Sequence, residues 1–208
     1  MARSTDTGRR NRPVRTRVHP QEGPLVEEID LTINGTQTTI EADEEEDLAT
    51  ALRAAGYKGV KCGCNGGVCG ASKVIIDDEA RMACGMTATD AADSHVETIE
   101  GLGTQDDLHP IQQAFVDHFA VQCGFCIPGM IMEAKDLLSK NPDPSEREVR
   151  EAIDDNVCRC TGYQKPVEAI LDAAERLRDE PSVAADGGEA ISNAADGSET
   201  IPNGGDRP

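Results

Sequence analysis

Cysteines gathered in short groups are the feature that most limits how this chain of 208 residues folds. Residues 60–72 read VKCGCNGGVCGAS, so three of the eight cysteines lie in one loop with four glycines. Such a loop has few large side chains that could pack in a core. Its thiols are therefore predicted to serve as ligands or to form bonds with other groups. In chain order the cysteines are Cys62, Cys64 and Cys69; Cys84; Cys123 and Cys126; and Cys158 and Cys160.

Disulfide bonding and metal binding are the two common uses of so many cysteines. Stable disulfides belong mainly to exported proteins. The first twenty residues, MARSTDTGRRNRPVRTRVHP, lack the apolar segment that a secretory signal or membrane anchor needs. No stretch approaches the roughly 20 apolar residues of a membrane span. We therefore predict a cytoplasmic chain, without a membrane span, whose cysteines bind metal.

The charge balance disfavours one class of partner. The chain has 39 acidic against 20 basic residues and a net charge of −19. Because proteins that bind nucleic acid present basic surfaces to the phosphates, we predict no nucleic-acid partner. The acidic surface suits a protein kept soluble in high salt, or is simply well solvated.

The two ends of the chain differ in composition from the middle. Residues 1–24 form a basic arm, with six arginines and one aspartate among the first twenty residues. Residues 179–208 include a tandem repeat, AADGGEAISN followed by AADGSETIPN. Neither segment has the apolar content to bury a core, so both are predicted to be disordered.

The middle of the chain divides into two patterns, which predict an α+β protein. Residues 25–100 show alternating apolar residues around an Asn34-Gly35 turn, a short helix and two further strand candidates, SKVIID and VETI. Residues 105–178 show helical periodicity throughout and predict a bundle of four helices. Its four cysteines fall at the turns between helices. Ser145 with Glu148 is expected to cap the third helix, and Pro166 to open the fourth.

The spacing of the bundle cysteines can be interpreted as chemistry. Cys123-x2-Cys126 and Cys158-x-Cys160 would bring four thiolates together from two junctions between helices. A [2Fe-2S] cluster, a [4Fe-4S] cluster and a zinc ion all accept four cysteines. Two disulfides are a further alternative, although a C-x-C pair suits metal binding better. Spacing alone leaves iron and zinc open.

Two segments resemble a known family. QCGFCIPGMIM (122–132) and NVCRCTGYQKPVEAI (156–170) resemble the signatures of the iron-sulfur subunit of the molybdenum hydroxylases. That family includes xanthine dehydrogenases, aldehyde oxidoreductases and aerobic carbon monoxide dehydrogenases. The resemblance spans about residues 25–178 and implies a ferredoxin-like β-grasp domain followed by a four-helix bundle. It also implies one [2Fe-2S] cluster in each domain, and so favours iron over zinc.

The resemblance assigns roles to the residues of the bundle. Its cluster would be bound by the four cysteines named above, Cys123, Cys126, Cys158 and Cys160. Gln122 and Cys160 match positions that approach the pterin of the molybdenum cofactor. The simpler interpretations, a helix-terminal amide and an ordinary ligand, stay open for these two residues. His109 and His118 are interpreted as structural.

The first loop departs from the family pattern. Cys64, Cys69 and Cys84 fall in register with three of the four ligands of a plant-type ferredoxin loop, C-x4-C-x2-C with a distant fourth cysteine. Ser72 occupies the position of the third ligand, and Cys62 is an additional thiol. Three outcomes are open: Cys62 replaces the missing ligand, Ser72 binds through its oxygen, or the cluster is absent or labile.

Electron transfer within a larger oxidoreductase is the function that the resemblance implies. Molybdopterin would belong to a large partner subunit and FAD to a medium partner subunit, with substrate chemistry outside this chain. The alternatives are a zinc-stabilised adaptor and a free-standing ferredoxin. Carbon monoxide, aldehydes, purines and other heterocycles all remain possible substrates of the complex.

Overall fold

The structure is a computed structural model that describes residues 26–64 and 66–179. The predictions for the basic arm, 1–24, and for the acidic tail, 179–208, lie outside the described residues, except that Asp179 is the last residue of a helix. The described chain has mixed α and β structure, as the sequence predicts, with the sheet first and a series of helices after it. The division into two domains stays a prediction.

In the part of the chain that the structure describes, five strands form one mixed sheet. They are β1 (Val26–Ile33), β2 (Thr36–Asp43), β3 (Lys73–Ile76), β4 (Glu79–Met82) and β5 (His95–Glu97), in the spatial order β2-β1-β5-β3-β4. β1 pairs antiparallel with β2 and parallel with β5, which pairs antiparallel with β3. The β1–β2 hairpin is as predicted, because Asn34 and Gly35 both adopt positive φ, 50° and 78°.

Strand β4 was not predicted from the sequence. It pairs antiparallel with β3 through a tight turn in which Asp77 and Asp78 have positive φ, 48° and 67°. Aspartate tolerates this conformation, and two such residues form the same kind of turn as Asn-Gly. The strand itself, Glu-Ala-Arg-Met, is short and half exposed, so its sequence carries no apolar alternation.

The helices are α1 (Leu48–Ala54), α2 (Pro110–Asp117), α3 (Ile127–Lys140), α4 (Glu146–Ala152) and α5 (Gln164–Asp179). Helix α5 begins two residues before Pro166, so the prediction that this proline opens the helix was wrong by that margin. The predicted capping box of α4 is confirmed, because Ser145 and Glu148 exchange hydrogen bonds. No described helix is long and apolar enough to cross a membrane.

Strand β3 joins the sheet to the helices because both of its faces are buried. Val74 and Ile76 belong to the core between the sheet and α1, whereas Ile75 belongs to the core formed by α2 to α5. All four residues of the strand are buried, which explains why the three that follow Lys73 are all apolar. The cysteine loop that precedes β3 is therefore held against the helices.

An ion pair crosses the same boundary. The ammonium group of Lys73, at the start of β3, contacts the carboxylates of Glu133 on α3 and Asp155 after α4. Lys73 is only 6% exposed, and burial raises the pKa of Glu133 although Lys73 opposes that effect. Removing the lysine would leave a carboxylate inside the protein without its partner.

We expect Lys73→Met to lower the free energy of unfolding by about 3 to 5 kcal/mol, because it breaks a buried ion pair from one side. Asp155→Asn is the matched control, since the Asp155 side chain is 51% exposed and its contribution should be about 0 to 1 kcal/mol. Denaturant unfolding of the two variants measures the difference. If both variants lost the same free energy of unfolding, the stabilising role given to the buried Lys73–Glu133 pair would be contradicted.

A neutral histidine caps helix α2. The Nδ1 atom of His109 accepts a hydrogen bond from the backbone N–H of Ile111, and the backbone N–H of His109 donates to the side-chain oxygen of Gln112. Burial, reinforced by the charge of Lys135, lowers the pKa of His109 to about 4. His118, at the other end of the helix, lies 2.9 Å from Asp172 on α5.

The lowered pKa predicts a pH-dependent stability. Between about pH 6.5 and pH 4 the unfolded chain binds a proton at His109 that the folded chain does not, so acidification in this range favours unfolding. His109→Asn keeps a cap but cannot titrate there, and its melting temperature should fall less steeply with pH than that of the parent. His109→Ala should also lose about 1 kcal/mol at neutral pH. An unchanged pH profile in the asparagine variant would contradict this role.

Candidate metal centres

The eight cysteines lie in two regions that face each other across the boundary between sheet and helices. Cys62, Cys64 and Cys69 lie in the loop between α1 and β3, and Cys84 lies in a 3-10 turn, Ala83–Gly85, directly after β4. Cys123 lies between α2 and α3, Cys126 is the N-cap residue of α3, and Cys158 and Cys160 lie between α4 and α5.

In the helical region the thiols are arranged as two pairs. The Cys123 thiol interacts with that of Cys160, and the Cys126 thiol with that of Cys158, so each pair joins the two loops. Among the described residues, no group of three or more His, Cys, Asp or Glu side chains is placed to hold a single metal ion. A [2Fe-2S] cluster has two irons and takes two cysteines on each, so two neighbouring pairs of thiols fit its donor set.

Backbone amides and burial act differently on these four thiols. The backbone N–H of Phe125 lowers the pKa of Cys123. Burial acts to raise the pKa of Cys158, but hydrogen bonds from Thr161 outweigh it and lower the pKa. Burial raises the pKa of Cys126 to about 12. Metal binding at the buried cysteine therefore has to displace a firmly held proton.

Three residues whose roles no sequence pattern predicts hold the second loop, between α4 and α5. The Tyr163 hydroxyl accepts from the backbone N–H of Cys158 at 2.8 Å and donates to the carbonyl of Asn156 at 3.0 Å. The Thr161 hydroxyl lies 3.1 Å from the Cys158 sulfur. All three lie in the quoted segment NVCRCTGY, but no spacing rule identifies hydrogen bonds of this kind.

The first loop brings two of its thiols together. The Cys64 and Cys69 side chains interact with each other, and the backbone N–H groups of Val68 and Gly66 lower the pKa of Cys64 to about 6. Burial raises the pKa of Cys69. The loop therefore favours a thiolate at its exposed end, as expected of a glycine-rich loop whose amides turn inward.

The remaining candidates lie around Cys84. Ser72 is 1% exposed, and its hydroxyl oxygen accepts from the backbone N–H of Cys84 at 3.3 Å. The Cys62 side chain interacts with the hydroxyl of Thr50 on α1 and lies near both Asp47 and Cys84. The structure thus places both proposed replacements for the missing ligand on the Cys84 side of the loop.

The two cysteine regions are in direct contact. The backbone N–H of Val157 donates to the carbonyl of Cys69 at 2.9 Å, and the buried side chain of Asn156 donates to the carbonyl of Gly70 at 3.0 Å. Gly129 on α3 allows this approach, because a Cβ atom there would collide with the Gly70 carbonyl oxygen. Two backbone carbonyls of the first loop are therefore bound by the loop that contains Cys158.

One side of the helical region is open to the surface. Cys123, Cys160 and Gln122 are exposed, which places both residues that the resemblance assigns to the pterin at the surface. Exposed apolar side chains lie within a few residues of the same cysteines: Phe119, Val121, Phe125 and Val157. Apolar side chains gathered in this way are typical of a surface that another protein covers.

Comparisons with known proteins agree with these two regions. Residues 31–98 match the model of a 2Fe-2S iron-sulfur cluster binding domain, and residues 98–171 match that of a [2Fe-2S] binding domain. The chain is 45% identical over 151 residues to the nicotine 6-hydroxylase small subunit of Paenarthrobacter nicotinovorans, covering 72% of this chain and 91% of the relative.

Two further relatives differ in length. The aldehyde oxidoreductase of Megalodesulfovibrio gigas is 45% identical over 148 residues, or 69% of this chain but 16% of that longer protein. The crystal structure of quinoline 2-oxidoreductase from Pseudomonas putida 86 contains a chain that is 40% identical, with a TM-score of 0.71 over 74% of this chain and 98% of that one. The chain therefore belongs to the family of iron-sulfur subunits of the molybdenum hydroxylases and is a subunit of an oxidoreductase.

Proposed function

We propose that this chain binds two [2Fe-2S] clusters and passes electrons from a molybdenum cofactor in a large partner subunit to FAD in a medium partner subunit. The direct contact between the two cysteine regions is the observation that supports this proposal best. When bound, the clusters supply one-electron redox chemistry. The residues of this chain bind them, limit access of water and fix the distance between them.

The four cysteines of the helical region are the proposed ligands of one cluster. Cys126 is only 5% exposed, and it lies at the first turn of α3 against the helical core. Tyr163 fixes the backbone at Cys158 from the other side. A cluster is held more firmly when its ligands are buried and the residues around them are fixed by hydrogen bonds.

The contact between the two regions supplies a short path between the proposed ligands. Cys69 is a proposed ligand of the first cluster, and its carbonyl accepts from Val157, the residue directly before the proposed ligand Cys158. One hydrogen bond and a few covalent bonds therefore connect a ligand of each cluster. The Lys73 ion pair and the Gly129 contact maintain this geometry.

The surface around Cys160 is the proposed docking site for the molybdenum subunit. Cys160 and Gln122 are exposed there among apolar side chains. Phe119 is 84% exposed and has a positive φ of 53°, an unusual conformation for a bulky residue. This conformation ends α2, because the backbone N–H of Ala120 donates to the carbonyl of Phe115, and exposed aromatic side chains are frequent at protein interfaces. The pterin would approach Gln122 and Cys160 at this surface.

Substrate chemistry is proposed to take place in the large subunit. The relatives are named for nicotine, aldehydes and quinoline, so this type of subunit serves oxidations of several substrate classes. An electron-transfer chain does not contact the substrate, and its sequence is not expected to specify which one is oxidised.

Two cysteine variants test the assignment of separate clusters. The parent chain, prepared without oxygen, should contain about four irons and four acid-labile sulfides. Cys126→Ser should remove one of two electron paramagnetic resonance signals and about half of the iron. Cys64→Ser should weaken the other signal instead, so each variant serves as the control for the other. Turnover of the assembled enzyme should be lost in Cys126→Ser.

The outcomes separate the alternatives. Zinc in place of iron in the parent chain would support the adaptor instead. Full turnover of the assembled enzyme with Cys126→Ser would contradict the role of the helical region in electron transfer. Loss of both signals in either variant would contradict the division of the ligands between two clusters.

A further inference from the structure

Cysteines fill only three of the four ligand positions of the plant-type pattern, so the first cluster needs one further ligand. C-x4-C-x2-C with a distant cysteine is the plant-type pattern, and Ser72 occupies its third cysteine position. We propose that the Ser72 hydroxyl oxygen is the fourth ligand of the first cluster, beside the thiolates of Cys64, Cys69 and Cys84, and that Cys62 is not a ligand. This inference rests on the proposed function, because it assumes that the loop binds a cluster.

The position of Ser72 supports it as a ligand. Its residue is 1% exposed, and its hydroxyl oxygen faces the backbone N–H of Cys84 at 3.3 Å. Its carbonyl accepts from the backbone N–H of Ala83 at 3.1 Å, so its main chain is bonded to the turn that contains Cys84. The hydroxyl is therefore a buried polar group fixed beside a proposed ligand.

The Ser72 hydroxyl also has a proton available to lose. Within the described part of the chain it accepts a hydrogen bond but donates to no acceptor. Binding through this oxygen would involve no oxidation or reduction: the hydroxyl would lose its proton to water, and the oxygen would bind ferric iron in its place. The backbone N–H of Cys84 would then donate to an alkoxide, and a hydrogen bond to a charged acceptor is stronger than one to a neutral hydroxyl.

The position of Cys62 argues against it. Its thiol is turned toward helix α1, where it interacts with the hydroxyl of Thr50, and its side chain packs against the core between sheet and helix. The nearby carboxylate of Asp47 is fixed as the N-cap of α1 by bonds from the Thr50 backbone and hydroxyl. Cys62 is thus held on the α1 side of the loop by its contact with Thr50 and by its packing.

The segment between Cys62 and Cys64 restricts any rearrangement. A Cβ atom at Gly63 would lie 2.9 Å from the Cys69 sulfur and 3.3 Å from the Phe125 ring. The backbone at Gly63 is thus packed between a proposed ligand and the helical region. Moving Cys62 toward Cys84 and Ser72 would require this packed backbone to rotate and the Thr50 contact to be lost.

Replacing one thiolate by an alkoxide has a chemical consequence. Oxygen is a harder donor than sulfur and stabilises ferric iron relative to ferrous iron. Ligand type is one of the factors that set the reduction potential of these clusters. The first cluster of this chain should therefore have a lower reduction potential than the same loop with a cysteine at position 72.

Three variants of the full chain, prepared without oxygen alongside its partner subunits, test the proposal. Cys62→Ala should keep about four irons and both electron paramagnetic resonance signals. Ser72→Ala should lose the first signal and about half of the iron while keeping the signal of the helical region. Ser72→Cys should keep the iron, and the reduction potential of the first cluster should rise with a shifted signal.

Each other result overturns the assignment. Iron lost in Cys62→Ala but kept in Ser72→Ala would make Cys62 the ligand, and iron kept in both variants would exclude both residues. About two irons in the parent chain would mean an empty loop. If Ser72→Ala fails to fold, an unchanged potential and signal in Ser72→Cys would still refute the proposal. All of these results leave the signal of the helical region intact, whereas loss of that signal from the parent chain would refute the proposed function itself.

Discussion

The contact between the loop after α1 and the loop before α5 is the interaction on which the rest of the arrangement depends. Two carbonyls, those of Cys69 and Gly70, are bound by Val157 and Asn156. Buried carbonyls need such partners, because leaving them without hydrogen bonds costs free energy. The backbone of each cysteine loop is thus completed by the other. Each loop therefore depends on the intervening strands and helices, which bring the other loop into contact with it.

Three features of the surrounding structure reinforce that contact. Gly129 removes a side chain where α3 meets the first loop, and β3 contributes apolar residues to the cores on both of its sides. Lys73 adds a buried ion pair whose value is specificity of position as much as stability. This rigidity suits the proposed transfer of electrons between two clusters, because a fixed distance between them needs fixed loops around them.

Much of the fold and of the helical cysteine site was predictable from local rules. The Asn34-Gly35 hairpin, the capping box at Ser145 and the strand at β3 follow from turn chemistry, capping and apolar pattern. Strand β4 was missed because its four residues carry no alternation and its turn uses two aspartates. The histidine cap at His109 and the tyrosine that holds Cys158 were missed because side-chain hydrogen bonds of this kind have no spacing signature.

Residue types and their spacing settle which ligands are available: four cysteines in the helical region, three cysteines in register with the plant-type pattern, and a serine where a further thiol belongs. Spacing along the chain identifies candidate ligands that lie close together in the sequence, because only a few bonds separate them. It did not decide between Cys62 and Ser72, which lie ten positions apart and are both able to approach Cys84 in an unfolded loop. The tertiary structure gives the two residues different surroundings, because helix α1 places Thr50 and Asp47 beside Cys62, whereas the turn after β4 places the backbone of Cys84 beside Ser72. Which side chain faces a cluster depends on the elements packed around the loop, and those contacts come from distant parts of the chain.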